Sequence, residues 1–138
     1  MRPSHPGLTP HDVLSDGGWH PRYARVLAIA SDGDYGFALV DGNGDGAELE
    51  AETWFWDGAQ WAGGSSSGAG PLAYLGREQT GGKIGNACFS YGSARGRDSV
   101  LIQFEGRRHV VPVGKEGTWA FIKQRQDPSS GDLPALIQ

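Results

Sequence analysis

Short oxygen-bearing side chains recur at alternate positions in one glycine-rich stretch, Asp41-Gly42-Asn43-Gly44-Asp45-Gly46. Asp41, Asn43 and Asp45 offer carboxylate and amide oxygens, which are the ligands that a hard cation such as calcium prefers. The glycines permit the sharp turn that would bring these three side chains together. The sequence therefore makes Asp41, Asn43 and Asp45 candidate calcium ligands. The alternative is a hairpin turn without metal, because tight turns favour the same residue types.

The twelve residues from Asp41 to Glu52 resemble the calcium loop of EF-hand proteins, which closes with a carboxylate at its last position. This resemblance covers about a dozen residues and implies that Glu52 is a further ligand of the same ion. If the chain after Asp45 is extended, however, Glu52 lies about 23 Å away, at roughly 3.3 Å per residue. A calcium loop within a β-hairpin would then depend on Asp41, Asn43 and Asp45 alone.

An acidic and aromatic stripe follows, with a period of two residues. Its members alternate with smaller apolar residues, and they are Glu48, Glu50, Glu52, Trp54 and Trp56. This period predicts a strand, although the first part of the stripe also contains good helix formers. Trp61 follows after the turn at Asp57-Gly58. Exposed tryptophan beside carboxylates suits a sugar or a protein partner, so these five residues and Trp61 are the candidate binding site. The alternative is a face that is buried at its tryptophan end and hydrated at its glutamate end.

Signatures of catalysis are weak, and we predict no catalytic residue. The chain has neither a G-x-S-x-G elbow nor a phosphate-binding G-x-x-x-x-G-K-[ST] loop. Its histidines do not form a metal-binding pattern, and Cys88 has no histidine motif nearby, which favours a buried, inert thiol. The paired carboxylates of the stripe leave a small hydrolase or lyase as the enzymatic alternative.

Charge is distributed unevenly along a chain of net charge −4. Residues 1–57 have net charge −7, whereas residues 58–138 have net charge +3. The basic half contains a group of arginines with one histidine, namely Arg95, Arg97, Arg107, Arg108 and His109. The overall negative charge argues against nucleic acid as a partner. The asymmetry favours pairing within the molecule, with head-to-tail association into a homo-oligomer as the alternative.

Cysteine usage and hydropathy indicate the compartment. The single cysteine cannot form an internal disulfide, and the first residues lack the apolar region of a signal peptide. No apolar run is long enough to cross a membrane as a helix. We therefore expect a cytoplasmic protein that does not contact membranes.

The glycines mark the elements that must position these candidate residues. The chain of 138 residues contains 23 glycines and 8 prolines, and many of the glycines separate short apolar runs. The runs predict eight or nine strands, with a flexible loop over residues 63–70, a brief strand over residues 72–75 and a polar connection over residues 76–85.

We therefore predict an all-β protein, a two-sheet antiparallel β-sandwich of immunoglobulin-like or related type, with a small β-barrel as the alternative. Residues 1–21 form an N-terminal arm, residues 22–126 the single domain and residues 127–138 a C-terminal tail. The favoured function is a non-enzymatic binding or protein-interaction module that uses the aromatic and acidic face. No cofactor is expected unless the glycine-rich turn binds calcium.

Overall fold

Within residues 5–137, ten antiparallel strands form three sheets. The computed structural model describes residues 5–137, apart from the side-chain surroundings at positions 80 and 81. Sheet A has the order β1 (Arg25–Asp32), β2 (Tyr35–Asp41), β3 (Leu49–Trp56) and β4 (Trp61–Gly70). Sheet B has the order β5 (Gln79–Ile84), β6 (Ala87–Ser93) and β9 (Thr118–Gln124). Sheet C has the order β10 (Ala135–Leu136), β7 (Ser99–Phe104) and β8 (Arg107–Pro112).

The predicted all-β, sandwich-like fold is confirmed, with the strands divided among three sheets. Each of these sheets is open over residues 5–137, so the barrel alternative is not what the chain adopts. The one α-helix described, α1 (Pro10–Asp16), begins after Thr9, whose hydroxyl accepts the N–H of Asp12 in a capping box. None of the helices found within residues 5–137 has the length and apolar character needed to cross a membrane.

Sheet B lies between the other two sheets, and both of its faces are buried. Along β9, Ala120 and Ile122 pack with sheet A, whereas Trp119 and Phe121 pack with sheet C. Successive side chains of a strand point to opposite faces, so an uninterrupted apolar run fills two separate cores. The run Trp119–Ile122 is therefore apolar at every position because each position faces a core.

A third apolar cluster covers the other face of sheet A. Here Leu8 and Val13 of the N-terminal arm pack on Ala38, Val40 and other residues of sheet A. The arm is thus the outermost layer beside sheet A. At the other end of the chain, the tail contributes β10, which pairs with β7. The first four residues of the arm and the last residue of the tail lie outside the described residues.

The conformation of two turn residues explains the short connection between β7 and β8. Between β7 and β8, Glu105 and Gly106 have φ angles of 51° and 76°. Positive φ at both central residues is what a two-residue hairpin turn of type I′ requires, and it matches the twist of the two strands. Gly106 supplies one of these positions without steric cost.

Three local predictions were wrong. Residues 63–70 belong to the strand β4, residues 72–74 form a 3-10 helix, and the connection over residues 76–85 contains β5. The β4 backbone extends because β3 offers it a hydrogen-bonded ladder, and Ser65 and Ser66 add side-chain hydrogen bonds to β3. These interactions offset the entropy that a glycine-rich segment loses when it is ordered.

Candidate functional site

The aromatic and acidic stripe forms part of β3, as the period of two predicts. Glu50, Glu52, Trp54 and Trp56 share the face of sheet A that lies toward the arm. The strand interpretation of this segment is confirmed from Leu49 onward. The two-residue period does not indicate how much of this face is exposed to solvent.

The tryptophan end of the stripe is covered by the N-terminal arm. Trp54 is 1% exposed and Trp61 is 3% exposed. Trp61 donates its indole N–H to the carbonyl oxygen of Pro6, 3.1 Å away. The His5 ring stacks on Trp56, with ring centroids 4.2 Å apart. The tryptophans therefore bind the chain's own arm, while Glu48 is exposed and Glu50 is partly exposed.

Glu52 is buried beneath the arm. Its carboxylate accepts the indole N–H groups of Trp19, at 3.0 Å, and of Trp54, at 3.3 Å. Burial raises the pKa of Glu52, the two indole hydrogen bonds oppose this rise, and nearby Glu50 adds to it. Glu52 thus connects the arm to sheet A, whereas Glu50 accepts a hydrogen bond from Ser66 of β4 at 2.9 Å. The two carboxylates have different surroundings although they lie on one strand face.

The glycine-rich turn is organised around Asp41, which is fully buried. One carboxylate oxygen accepts the N–H of Gly44 at 3.1 Å, and the other accepts the N–H of Gly46 at 2.8 Å and the Arg25 guanidinium at 3.1 Å. Asp45 accepts the N–H of Ala47, and Asn43 is exposed. Over residues 5–137, no three acidic, histidine or cysteine side chains are arranged to hold a metal ion.

The basic residues of the second half do not form a single cluster. Arg95 and Arg97 line a cavity of about 570 Å³ that also contains Asp98 and Glu116. Arg107 and His109 line a different cavity, of about 340 Å³, on the hairpin of β7 and β8. Cys88 is fully buried, and burial raises the pKa of its thiol.

The outer edge of β4 is an accessible main-chain surface. The strand is ten residues long, and in the described sheet it pairs only with β3. Residues 63–68 are exposed glycines and serines, and a Cβ added at Gly63 or Gly68 would meet nothing within 4 Å. Glu50 pairs with Gly68 across the ladder, so a carboxylate lies one strand inside the open edge. Sequence reasoning missed this surface because it interpreted residues 63–70 as a loop.

A groove of about 490 Å³ lies where β1, β8 and β9 come together, each being the edge strand of its sheet. Residues 27–32, 109–114 and 118–123 line it. Thr118 donates its hydroxyl to the Leu27 carbonyl oxygen at 2.7 Å near one end, and the main-chain N–H of Gln124 donates to Asp32 at 2.8 Å near the other. No local sequence pattern could predict this groove, because three segments that are far apart in the sequence form its walls.

Comparison of the chain with protein-family models, with curated protein sequences and with solved structures gave no significant match.

Proposed function

We propose that the protein is a non-enzymatic protein-interaction module that binds an extended segment of a partner protein along the open edge of β4. The observation that carries the proposal is the outer main-chain edge of this ten-residue strand, which pairs only with β3 among residues 5–137. An exposed strand edge presents a row of N–H and C=O groups, and an added strand can bind them by the ordinary sheet ladder.

The composition of β4 supports this use. Exposed edges are commonly protected by charged side chains or proline, and residues 61–70 contain neither. The register with β3 shifts between Gly63 and Ser66 and again between Gly68 and Gly70, which leaves Ser66, Ser67 and Gly68 as a regularly paired part of β4. The small side chains there leave the backbone accessible. We therefore place the centre of the partner segment opposite Ser66–Gly68.

The acidic part of the predicted binding face supports a basic partner. Glu48 and Glu50 have no ion-pair partner among residues 5–137, and both belong to the half of the chain with net charge −7. Glu50 lies beside Gly68, which has no side chain to block a long cation reaching over β4. An exposed ion pair of this kind is worth about 0.2–1 kcal/mol, or roughly a 1.5- to 5-fold gain in affinity.

A nuclear magnetic resonance titration tests strand addition. The ¹⁵N-labelled protein is titrated with a capped peptide of about nine alternating threonine and arginine residues, which is long enough for one strand. We expect the amide signals of Ser66–Gly68 to shift in a saturable manner. Two versions of the peptide, each N-methylated along one edge only, should differ in affinity, because an added strand uses one of its edges.

The charge preference is tested with matched variants. Replacing the arginines by glutamate should weaken binding, and Glu50→Gln should reduce that difference, whereas Asp98→Asn, at an exposed position outside sheet A, should not. If no peptide shifts the β4 amides, or if both N-methylated versions bind equally, the protein does not bind by strand addition at this edge.

A further inference from the structure

A cavity of about 410 Å³ lies beside the end of β6 and the start of β7, and three arginines line it. They are Arg77, Arg95 and Arg97. Among the residues that the structure describes, no acidic side chain lines this cavity. All three arginines carry a positive charge, because the guanidinium group stays protonated in proteins. The sequence alone did not indicate this group, because β5 and β6 separate Arg77 from the other two arginines.

Main-chain hydrogen bonds bring the three arginines to one place. Ser93 donates its N–H to the Gly76 carbonyl oxygen at 2.9 Å, which fixes Arg77 beside the end of β6. Arg97 donates its N–H to the Ala94 carbonyl oxygen at 3.1 Å, which closes a turn directly after β6 that carries the other two arginines. The backbone therefore holds three like charges around the cavity although they repel one another.

The positive charge of these arginines is not compensated by ion pairs. Arg77 and Arg97 make no ion pair among residues 5–137. Arg95 has only a long hydrogen bond, of 3.4 Å, to the Leu72 carbonyl oxygen. The chain has 16 acidic and 12 basic residues, so it does not lack carboxylates that could have paired with them. An anion from outside the chain is the partner that this cavity suits.

Three carboxylates lie near the cavity, and none of them pairs with its arginines. Glu78 accepts the main-chain N–H of Leu136 at 2.6 Å. Glu116 pairs with Arg25 at 3.0 Å. Asp98 lines the neighbouring cavity of about 570 Å³ and makes no ion pair among residues 5–137. The arginines of the smaller cavity are therefore available to a ligand.

The rest of the cavity wall is mainly apolar. Leu75 and Val100 are 8% and 3% exposed, and Ala94 and Leu136 also line the cavity. A volume of about 410 Å³ lies in the range in which small-molecule sites are found. This wall suits a ligand in which an anionic group is attached to an apolar body.

We propose that the cavity between β6 and β7 binds a small organic phosphate, whose phosphate group lies among Arg77, Arg95 and Arg97. A phosphate monoester carries nearly two negative charges at neutral pH and offers three acceptor oxygens. Guanidinium groups donate paired hydrogen bonds to such oxygens. A single carboxylate would compensate only one of the three positive charges. The site is independent of the β4 edge.

Phenyl phosphate and phenyl sulfate are a matched pair of probes, because they share a skeleton and differ in charge. At about pH 7 the phosphate ester carries nearly two negative charges and the sulfate ester carries one. Each is titrated at constant ionic strength into the ¹⁵N-labelled protein while the main-chain amide signals are followed. We expect phenyl phosphate to shift the signals of residues 94–97 in a saturable manner. It should bind roughly 1.5- to 5-fold more tightly than phenyl sulfate, as one more exposed ion pair provides.

Two double variants test whether these arginines are responsible. Arg77→Gln with Arg97→Gln should weaken the binding of phenyl phosphate roughly 2- to 25-fold, because two exposed ion pairs are lost. Arg107→Gln with Arg108→Gln removes the same charge from exposed positions outside the cavity and should leave the affinity unchanged. All four positions are exposed, so both variants should fold.

The proposal is overturned if phenyl phosphate produces no saturable shift at residues 94–97, or if phenyl sulfate binds as tightly. It is also overturned if the Arg107 and Arg108 amides move as much as those of residues 94–97, or if the two double variants weaken binding equally. Either of these last results would mean that the anion only responds to the general positive charge of the surface.

Discussion

Glu52→Gln tests how much the buried Glu52 carboxylate contributes to holding the N-terminal arm on sheet A. In the wild-type protein, Glu52 accepts the indole N–H groups of Trp19 at 3.0 Å and Trp54 at 3.3 Å. Glutamine has nearly the same shape, but only one of its terminal atoms accepts hydrogen bonds. Its amide group would face the second indole N–H, so two donors would oppose each other inside the protein.

The expected cost follows from that unpaired donor. A buried donor left without an acceptor costs about 1–3 kcal/mol. For a domain of this size, 1 kcal/mol lowers the melting temperature by about 3–4 °C. Trp19→Phe removes one of the two donors, so Glu52→Gln in that background leaves Trp54 with the remaining oxygen. We expect the second substitution to cost at least about 1 kcal/mol less there than in the wild-type protein.

The pH dependence has a defined sign. Burial raises the pKa of Glu52 in the folded protein above its usual value of 4.5. The stability that Glu52 contributes is therefore fully present below pH 4.5 and is lost as the pH rises through the folded-state pKa. The hydroxyl oxygen of protonated Glu52 can still accept an indole N–H, whereas the amide nitrogen of glutamine cannot. Because glutamine does not titrate, the difference in unfolding free energy between the wild type and Glu52→Gln should be largest at low pH and should narrow as the pH rises through this window.

Urea denaturation followed by far-ultraviolet circular dichroism measures all four proteins of this double-mutant cycle over the pH window. Strictly additive effects of Trp19→Phe and Glu52→Gln would show that the two residues are not coupled. A difference that widens with rising pH would refute the reasoning about the buried carboxylate.

Four further predictions concern other parts of the fold. Gly92→Ala should cost about 1–3 kcal/mol in thermal unfolding, because the new Cβ would lie 2.1 Å from the Arg77 carbonyl oxygen, whereas Gly63→Ala, which meets open space, should be nearly neutral. Asp41→Ala should cost about 2–4 kcal/mol in urea denaturation through loss of the turn hydrogen bonds. Because those bonds already occupy the Asp41 carboxylate, we expect calorimetric titration of the wild type with millimolar calcium to produce no heat. Trp61→Phe, which loses the hydrogen bond to the arm, should speed hydrogen exchange of the arm amides about fivefold, equivalent to about 1 kcal/mol.

Most strands could be predicted because their patterns reflect local physics. Along β3, Glu50, Glu52 and Trp54 alternate with smaller residues because successive side chains face opposite sides of sheet A. Along β9, Trp119 and Phe121 alternate with positions that face a second core, so the run is apolar throughout. In both strands the side chains that become buried follow one another in the sequence, so the pattern of burial can be recognised from neighbouring residues.

β4 could not be predicted in this way. Gly63–Gly70 has no side-chain alternation and a low strand propensity, so its extended form depends on the ladder offered by β3. That information lies in another segment of the chain. The cover over Trp54 could not be predicted for a related reason, since Leu8 and Val13 lie in an arm whose prolines and glycines break any regular apolar pattern. A search for partners of the second apolar face of sheet A could have identified those two residues.

The layering of the molecule explains why sheet A is accessible at its edges rather than on its faces. Sheet A is covered on one side by sheet B and on the other by the arm, so the tryptophan face is not free for a partner.

The two edges of sheet A differ. The β1 edge borders the groove and is fixed to β9 by Thr118 and Gln124. In the part of the chain that the structure describes, β4 pairs with no strand other than β3, and its hydrogen bond to the arm comes from the Trp61 side chain. Because β1 and β4 are separated by β2 and β3, occupation of one edge should leave the other free. A peptide titrated onto β4 of the ¹⁵N-labelled protein should therefore leave the main-chain amide signals of β1 and β9 unchanged.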